Sequence, residues 1–398
     1  MSNRRAVIID AVRTPFCRGR EGGALSGIHP VDLYAQTLSE LISRTQVDPA
    51  IIEDVITGCV IQVAEQSGNI GRQAALAAGF PESVPAITLD RKCGSAQQAM
   101  DFAAQGVISG AYDTVIAGGV EMMSTVPMRI NRMGKDNEGE LFRSRYPDGM
   151  IRQGVSAELI ASRWNIAREE LDQFSMRSHI RAADDVSGRV KDIVTINKGL
   201  AEDGVALVCD DEGVRPNTNL ETLSNLDTVF KTDEMSARYP EINWSLTAAS
   251  SSPVSDGASA LLIMEEQLAM RLNLAPRAAI THFSVVGDDP IMMLTAIMPA
   301  TKKLLRRSAL RLSDIDAYEV NEAFASIPLA WLKELDGDPE KLNQYGGAIA
   351  LGHPVGASGG RLIANIMRVL EDTNGRYGLV TMCESGGMAN ATLIENLT

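Results

Sequence analysis

The 398-residue sequence is poor in several things, and each scarcity removes a class of protein. Its four histidines, His29, His179, His282 and His353, stand far apart, without the spacing that lets two imidazoles share a metal ion, so no metal site is expected. Its five cysteines, Cys17, Cys59, Cys93, Cys209 and Cys383, form no CxxC pair and are odd in number, which reads as free thiols rather than a disulfide framework. No apolar run reaches the roughly 18 residues that span a bilayer. The opening Met1-Ser2-Asn3-Arg4-Arg5 runs straight into a strand-like segment and lacks the apolar stretch and cleavage site of a secretion signal, so the expected compartment is the cytoplasm. Cations are also in deficit: 37 Lys and Arg against 51 Asp and Glu leave a net charge of -14. That disfavours nucleic acid or an anionic membrane as a partner, while a local basic patch remains compatible with a phosphate-bearing ligand.

What is present points to a layered α/β protein of two or three packing units. Val7-Ile8-Ile9 is strand-like, Val31 to Arg44 has helical periodicity, and Asp54 to Gly58 returns to a strand, a pattern that suggests largely parallel strands. The stretch from Leu41 is echoed from Leu304, and the stretch from Ala111 is echoed from Arg376, both at an offset of about 265 residues. A constant offset implies duplicated halves. The expected division is an N-terminal half from residues 1–122 and 252–275, an insert over 123–251, and a C-terminal half over 276–398. The insert carries a helical pattern from Ser156 to Asp185 and a turn-rich Asp211 to Pro216, and is a candidate lid or clamp over a ligand. The basic runs Arg129 to Lys135 and Lys302 to Arg307 read as solvated faces or subunit contacts.

Four clusters carry chemistry. Cys93, in Asp90-Arg91-Lys92-Cys93-Gly94-Ser95, falls at a strand-to-helix turn, where a helix N-terminus is expected to stabilise a thiolate and lower its pKa. Six glycines between Gly346 and Gly360 surround His353, which lies between Gly352 and Pro354 ahead of a helix facing its core with Ile363, Ile366, Met367 and Leu370. Cys383 ends a strand beside Gly386-Gly387, and Asn321-Glu322 follow another strand-like run; ligands commonly bind at such strand ends.

Together these clusters resemble the thiolase family. The nucleophile motif is matched by Cys93-Gly94-Ser95, the NEAF box by Asn321 to Phe324, the glycine-rich histidine box by Gly346 to Arg361, and the C-terminal CxGGG box by Cys383 to Gly387, with Ser385 where the family usually has glycine. The resemblance extends from Val12-Arg13-Thr14-Pro15-Phe16 to the C-terminus. It implies a duplicated five-layer α-β-α-β-α core with an inserted loop domain, and an acyltransferase that exchanges acyl groups with acetyl-CoA. By that resemblance Cys93 is the acylated nucleophile and His353 its activator. Cys383 protonates the departing acetyl-CoA carbanion or, in synthesis, removes the α-proton. One oxyanion site combines His353 with a water held by Asn321; the other uses the backbone N–H groups of Cys93 and Ser385. Ser252 matches a pantetheine-contacting serine, with Ala249 and Ser250 replacing the family's Gly and Asn before it, and Arg215 matches an arginine near the adenine and phosphates. Coenzyme A is then a co-substrate and no tightly bound cofactor is expected; the assembly implied is a homodimer or homotetramer. Gln153-Gly154 and Met293-Leu294-Thr295-Ala296-Ile297 resemble a bacterial fatty-acid or steroid degradation subgroup, so an acyl group bulkier than acetoacetyl is expected. The alternatives are a short-chain biosynthetic acetoacetyl-CoA thiolase, a ketoacyl synthase-type condensing enzyme, and an acyl-CoA binding protein without turnover.

Overall fold

The computed structural model describes residues 4–147, 149–201 and 204–398; the polar lead Met1 to Asn3 lies outside them. The N-terminal half is built from β1 (Ala6–Arg13), α1 (Pro30–Thr45), β2 (Asp54–Gly58), β3 (Ala86–Leu89), α2 (Ser95–Ser109) and β4 (Thr114–Met122). The insert follows, with α3 (Gln153–Arg163) and α4 (Arg168–Asp184), and the chain then returns through β5 (Ser255–Glu265). The C-terminal half repeats the plan: β6 (Ala278–Gly287), α5 (Ile297–Ser308), β7 (Ala317–Val320), α6 (Ser326–Leu335), α7 (Ser358–Thr373), β8 (Tyr377–Glu384) and β9 (Met388–Asn396). The echo read from sequence is therefore structural, since its two members are α1 to β2 against α5 to β7, and β4 against β8.

Local chemistry sets these boundaries. In α1 the His29 ring accepts from Val31 N–H, Pro30 occupies the first turn, and Gln46 ends the helix in the left-handed region at φ 55°. The helical pattern expected from Ser156 to Asp185 is realised as two helices, because Asn165 turns left-handed at φ 48° and separates α3 from α4.

Strand order is β7-β8-β9-β6-β1-β5-β4-β2-β3. The two halves meet where β1 pairs with β6 over only three residue pairs, Ala6 to Ile8 against Ala278 to Ile280. Outward from that seam both halves run antiparallel, antiparallel, parallel: β1-β5-β4-β2 on one side and β6-β9-β8-β7 on the other. The expectation of largely parallel strands thus gives way to a mixed sheet. Only β2/β3, β2/β4 and β7/β8 are parallel, because β8 and β9 are joined by a hairpin and the insert delivers β5 antiparallel to both its neighbours.

Three apolar clusters separate five layers. Leu33 and Leu38 of α1 pack on Val7, Ile116 and Leu262 on the outer face of the N-terminal strands. Met100 of α2 and Ile366 of α7 fill the space between the two halves, against Val115, Leu261 and Val380. Leu304 of α5 and Trp331 of α6 cover Leu379 and Leu393 on the far face. Alternation along β5 sends Leu261 and Ile263 inward and Leu262 and Met264 outward, as strand geometry requires. Lying between the two halves of the sheet, α7 is buried on every side from Ser358 to Leu370, so its Arg361 and Arg368 are buried as well. Arg368 pairs with Asp185 at 2.8 Å and Asp192 at 2.7 Å, and Arg13 with Asp211 at 2.6 Å, ion pairs that tie the insert to the core.

Candidate active site

Cys93 is delivered by a tight turn between β3 and α2. Lys92 adopts φ 50°, its N–H donates to Asp90 Oδ1 at 2.7 Å, and Ser95 Oγ accepts from Arg91 N–H at 2.9 Å while donating to the Lys92 carbonyl at 2.6 Å. The thiol is buried at the start of α2. The lowered pKa expected from that position is overturned: burial pushes the thiol up, and the neighbouring Cys383 and Glu384 add to the shift. Cys93 therefore rests as a neutral thiol.

His353 is held with equal definition. Gly352 before it has φ 104°, a conformation that excludes a side chain, and the His353 N–H donates to Ser255 Oγ at 2.9 Å. Ring Nδ1 lies 2.7 Å from Ser358 Oγ, at the start of α7, and the Ser358 hydroxyl donates to the Pro354 carbonyl at 2.9 Å. Because that hydroxyl proton is committed, Ser358 accepts from Nδ1–H. Nε2 is thereby left unprotonated as an acceptor, 3.5 Å from the Asn321 Nδ2 donor. Burial, reinforced by Arg361, lowers the His353 pKa to about 3. At neutral pH it is an uncharged base.

Asn321 follows β7, with its N–H on the Thr381 carbonyl at 3.1 Å. Its side-chain Oδ1 is buried and finds no hydrogen-bond partner among the described residues, a vacancy in bonding that suits a water. The same loop holds Ser252: Ser252 N–H donates to the Ala323 carbonyl at 3.0 Å, and Ala325 N–H to the Ser250 carbonyl at 2.9 Å. Ser250 closes its own turn by accepting from Thr247 N–H at 2.8 Å, and neither Ala249 nor Ser250 is left-handed, so the loss of the family's Gly-Asn pair is accommodated.

Cys383 ends β8. Burial, with Glu384 beside it, pushes its thiol up to about 12, partly offset by a hydrogen bond with Asn321. Ser385 is not left-handed; Gly386 at φ 91° and Gly387 at φ 77° absorb the turn, which is why a serine fits where the family usually has glycine. Glu384 was not singled out by sequence reasoning. Both its carboxyl oxygens are buried without a hydrogen-bond partner among the described residues, and a Cβ on Gly94 would fall 1.9 Å from Oε1, so only glycine fits beside Cys93. Burial holds the Glu384 pKa at about 9, against the pull of Arg91. An acid whose folded pKa is raised contributes fully below its unfolded pKa and loses that contribution as pH rises through the folded value. Glu384→Gln, which cannot ionise, should therefore gain stability over the wild type by on the order of a few kcal/mol at pH 9 and far less at pH 4. Urea midpoints at the two pH values check this, and an equal shift at both would refute it.

Glu322, read from the sequence beside Asn321 at a strand end, forms a network with Asn343, which that reading did not include. Glu322 accepts from Ser178 Oγ at 2.7 Å, Asn343 Nδ2 at 2.9 Å and Ile349 N–H at 3.1 Å, which fixes the loop leading to His353.

The cavities define how these groups meet. A small one of about 100 Å³ is lined by Cys93, Ser252, His353 and Cys383 together. It shares Pro253 and Val254 with a cavity of about 410 Å³ that contains Arg215, and shares Cys93, Met128 and Gln153 with one of about 860 Å³ that contains Ser385. Arg18, Arg20 and His179 also line the 410 Å³ cavity. Nδ1 of His179 accepts from Arg215 N–H at 3.2 Å, and its pKa is lowered to about 4 by burial and by Arg215. Neither histidine spacing nor periodicity signals that placement.

Fold and site together define an acyltransferase built from two copies of one α/β half. Residues 6–267 match the thiolase N-terminal domain and residues 274–396 the thiolase C-terminal domain. The chain belongs to the thiolase family. It is 45% identical over 402 residues to a steroid 3-ketoacyl-CoA thiolase of Mycobacterium tuberculosis, covering 98% of this chain and 94% of that one. It is 43% identical over 397 residues to a 3-ketoacyl-CoA thiolase of Pseudoalteromonas translucida, covering 98% of each. The crystal structure of an acetyl-CoA acetyltransferase of Bacillus anthracis superposes with a TM-score of 0.88 at 35% identity over 99% of both chains.

Proposed function

We propose that the protein cleaves 3-ketoacyl-CoA thiolytically to acetyl-CoA and a shortened acyl-CoA through an acyl-Cys93 intermediate. The observation that carries this reading is the convergence of Cys93, His353 and Cys383 on one small cavity at the junction of two larger ones. Cys93 Sγ attacks the 3-keto carbon while its proton passes to His353 Nε2. The oxyanion is stabilised by the backbone N–H groups of Cys93 and Ser385. The bond between C2 and C3 breaks, and the enolate of acetyl-CoA, stabilised by His353 and a water on Asn321, takes the Cys383 proton. In the second half, the incoming CoA thiol returns a proton to Cys383 and attacks the acyl-cysteine, and His353 returns its proton to the departing Cys93 thiolate. Both cysteines and the histidine begin uncharged, so charge separates only when substrate is bound.

Ser358 is a positioning residue that holds the His353 tautomer. Coenzyme A is the co-substrate, seated along the 410 Å³ cavity with Arg215 on the phosphates and reaching the small cavity with Ser252 on the pantetheine, and no cofactor is permanently bound. The division into halves at residues 122, 252 and 276 follows from the same reading, as do a cytoplasmic location and a dimer or dimer of dimers. Pairing through the N-terminal halves is supported by edge strand β3, whose Ile87 is 51% exposed. No helix among the described residues is long and apolar enough to cross a membrane.

The 860 Å³ cavity, at the upper end of what drug-sized ligands occupy, favours an acyl group bulkier than acetoacetyl. Met293 lines this cavity and Leu294 the small one, so the segment that departs from the family pattern contacts both. Thiolysis kinetics across short, long and steroid-type 3-ketoacyl-CoA should give the higher kcat/KM to the bulkier thioesters. A strong preference for acetoacetyl-CoA would overturn the size assignment, and failure to release acetyl-CoA from any of them would overturn the activity.

A further inference from the structure

We propose that the preferred acyl group carries a carboxylate at its far end, held by Arg129, Arg132 and Arg152. This deepens the thiolase reading above and rests on it. The 860 Å³ cavity begins at Cys93 and Ser385, continues along apolar walls that include Ile61, Met128 and Phe142, and also contains these three guanidinium groups, all of them exposed. Sequence alone reads the run from Arg129 as a solvated face or a subunit contact; the fold lines the cavity with Arg129 and Arg132 and brings Arg152, from the start of α3, beside them.

Among the described residues these three cations are uncompensated. None of the three has a carboxylate within ion-pair distance among the described residues, although the chain as a whole has an excess of acids. The carboxylates that line the same cavity are committed elsewhere: Glu138 to Arg143 at 3.2 Å and to Met150 N–H at 3.1 Å, and Asp288 to Thr295 Oγ1 at 2.9 Å. Lys92, the other lining cation, is already paired with Asp90. Arg129 senses the other two, since burial and then Arg132 and Arg152 lower its pKa. Like charges gathered at an apolar cavity destabilise it until an anion arrives, and guanidinium groups bind a carboxylate through paired hydrogen bonds. An acyl chain with an apolar body and an anionic end matches this sequence of walls. Coenzyme A has its own anions, but the 410 Å³ cavity on the other side of the small one supplies Arg18, Arg20 and Arg215 for those.

The test uses two 3-ketoacyl-CoA thioesters of equal chain length, one ending in methyl and one in carboxylate, with the full-length enzyme. Wild type should favour the carboxylate by at least about tenfold in kcat/KM. The ratio should fall toward one in Arg132→Gln and in Arg129→Gln/Arg152→Gln, and should invert in Arg132→Glu; thermal melts confirm that each variant is folded. The proposal is overturned if wild type shows no preference, or if the variants lower both rates in proportion. It is equally overturned if they raise the KM for CoA with the ratio unchanged, which would assign the cations to the phosphates of the coenzyme. Absence of acetyl-CoA from both thioesters would instead remove the thiolase reading itself, and this one with it.

Discussion

Incubated with a 3-ketoacyl-CoA in the absence of free CoA, the wild-type protein should gain the mass of one shortened acyl group, and Cys93→Ala should gain none. Thiolysis by the variant should fall by at least about 10⁴-fold, because the residue supplies the covalent intermediate rather than one interaction among several. The substitution removes a side chain that is 7% exposed and packs among Met123, Val355 and Leu362, so a modest loss of stability is also expected, of about 1 kcal/mol for so small a truncation. The two effects separate cleanly, since a destabilised but folded variant would still acylate if another residue were the nucleophile. Acylation of Cys93→Ala at wild-type level would place the acyl group on another residue and end the mechanism, whereas the absence of an adduct from both proteins would leave an acyl-CoA binding protein as the better account.

Cys383→Ala should divide the reaction in two. Exchange of a saturated acyl group between Cys93 and labelled CoA forms no carbanion, so Cys383 keeps its proton throughout and His353 alone carries the one proton between the Cys93 and CoA thiols. Cleavage of the carbon–carbon bond needs a proton for the enolate, and Cys383, pushed up to about 12 and therefore carrying that proton, is the group positioned to give it. The variant should retain acyl exchange within about an order of magnitude and lose cleavage by about 10³-fold, in the range for removing a general acid. Equal loss of both activities would show that Cys383 shapes the site rather than shuttling the proton. His353 bears on the same experiment: with its pKa near 3, neither activity should show an ionisation near the usual histidine value of about 6.5.

Much of this site was legible in the sequence because it depends on local backbone requirements. A strand followed by Lys92-Cys93-Gly94, a histidine preceded by a glycine at φ 104°, and a cysteine followed by the Gly386-Gly387 turn are short-range features, and short-range features leave motifs. The duplication was legible for a similar reason, since two copies of one pattern keep their spacing. What escaped was decided by burial and by distant partners. The sign of the Cys93 shift depends on Cys383 and Glu384, which come from the other half, and no property of residues 90–95 foretells them. Arg129 and Arg132 look solvated until α3 places Arg152 next to them. His179 acquires a role through the backbone of Arg215. The mixed strand directions were missed because periodicity reports which residues face a core and is silent about the direction of the neighbouring strand.

The central layer has a last consequence. The helices α2 and α7 occupy equivalent positions in the two halves and pack against each other between the two halves of the sheet, and each begins at the same small cavity, one with Cys93 and the other with Ser358 beneath His353. A solitary half could bring two such helix ends together only by pairing with a copy of itself, and both ends would then carry the same chemistry. Joining the copies in one chain breaks that symmetry, so that one end can carry a thiol and the other an imidazole.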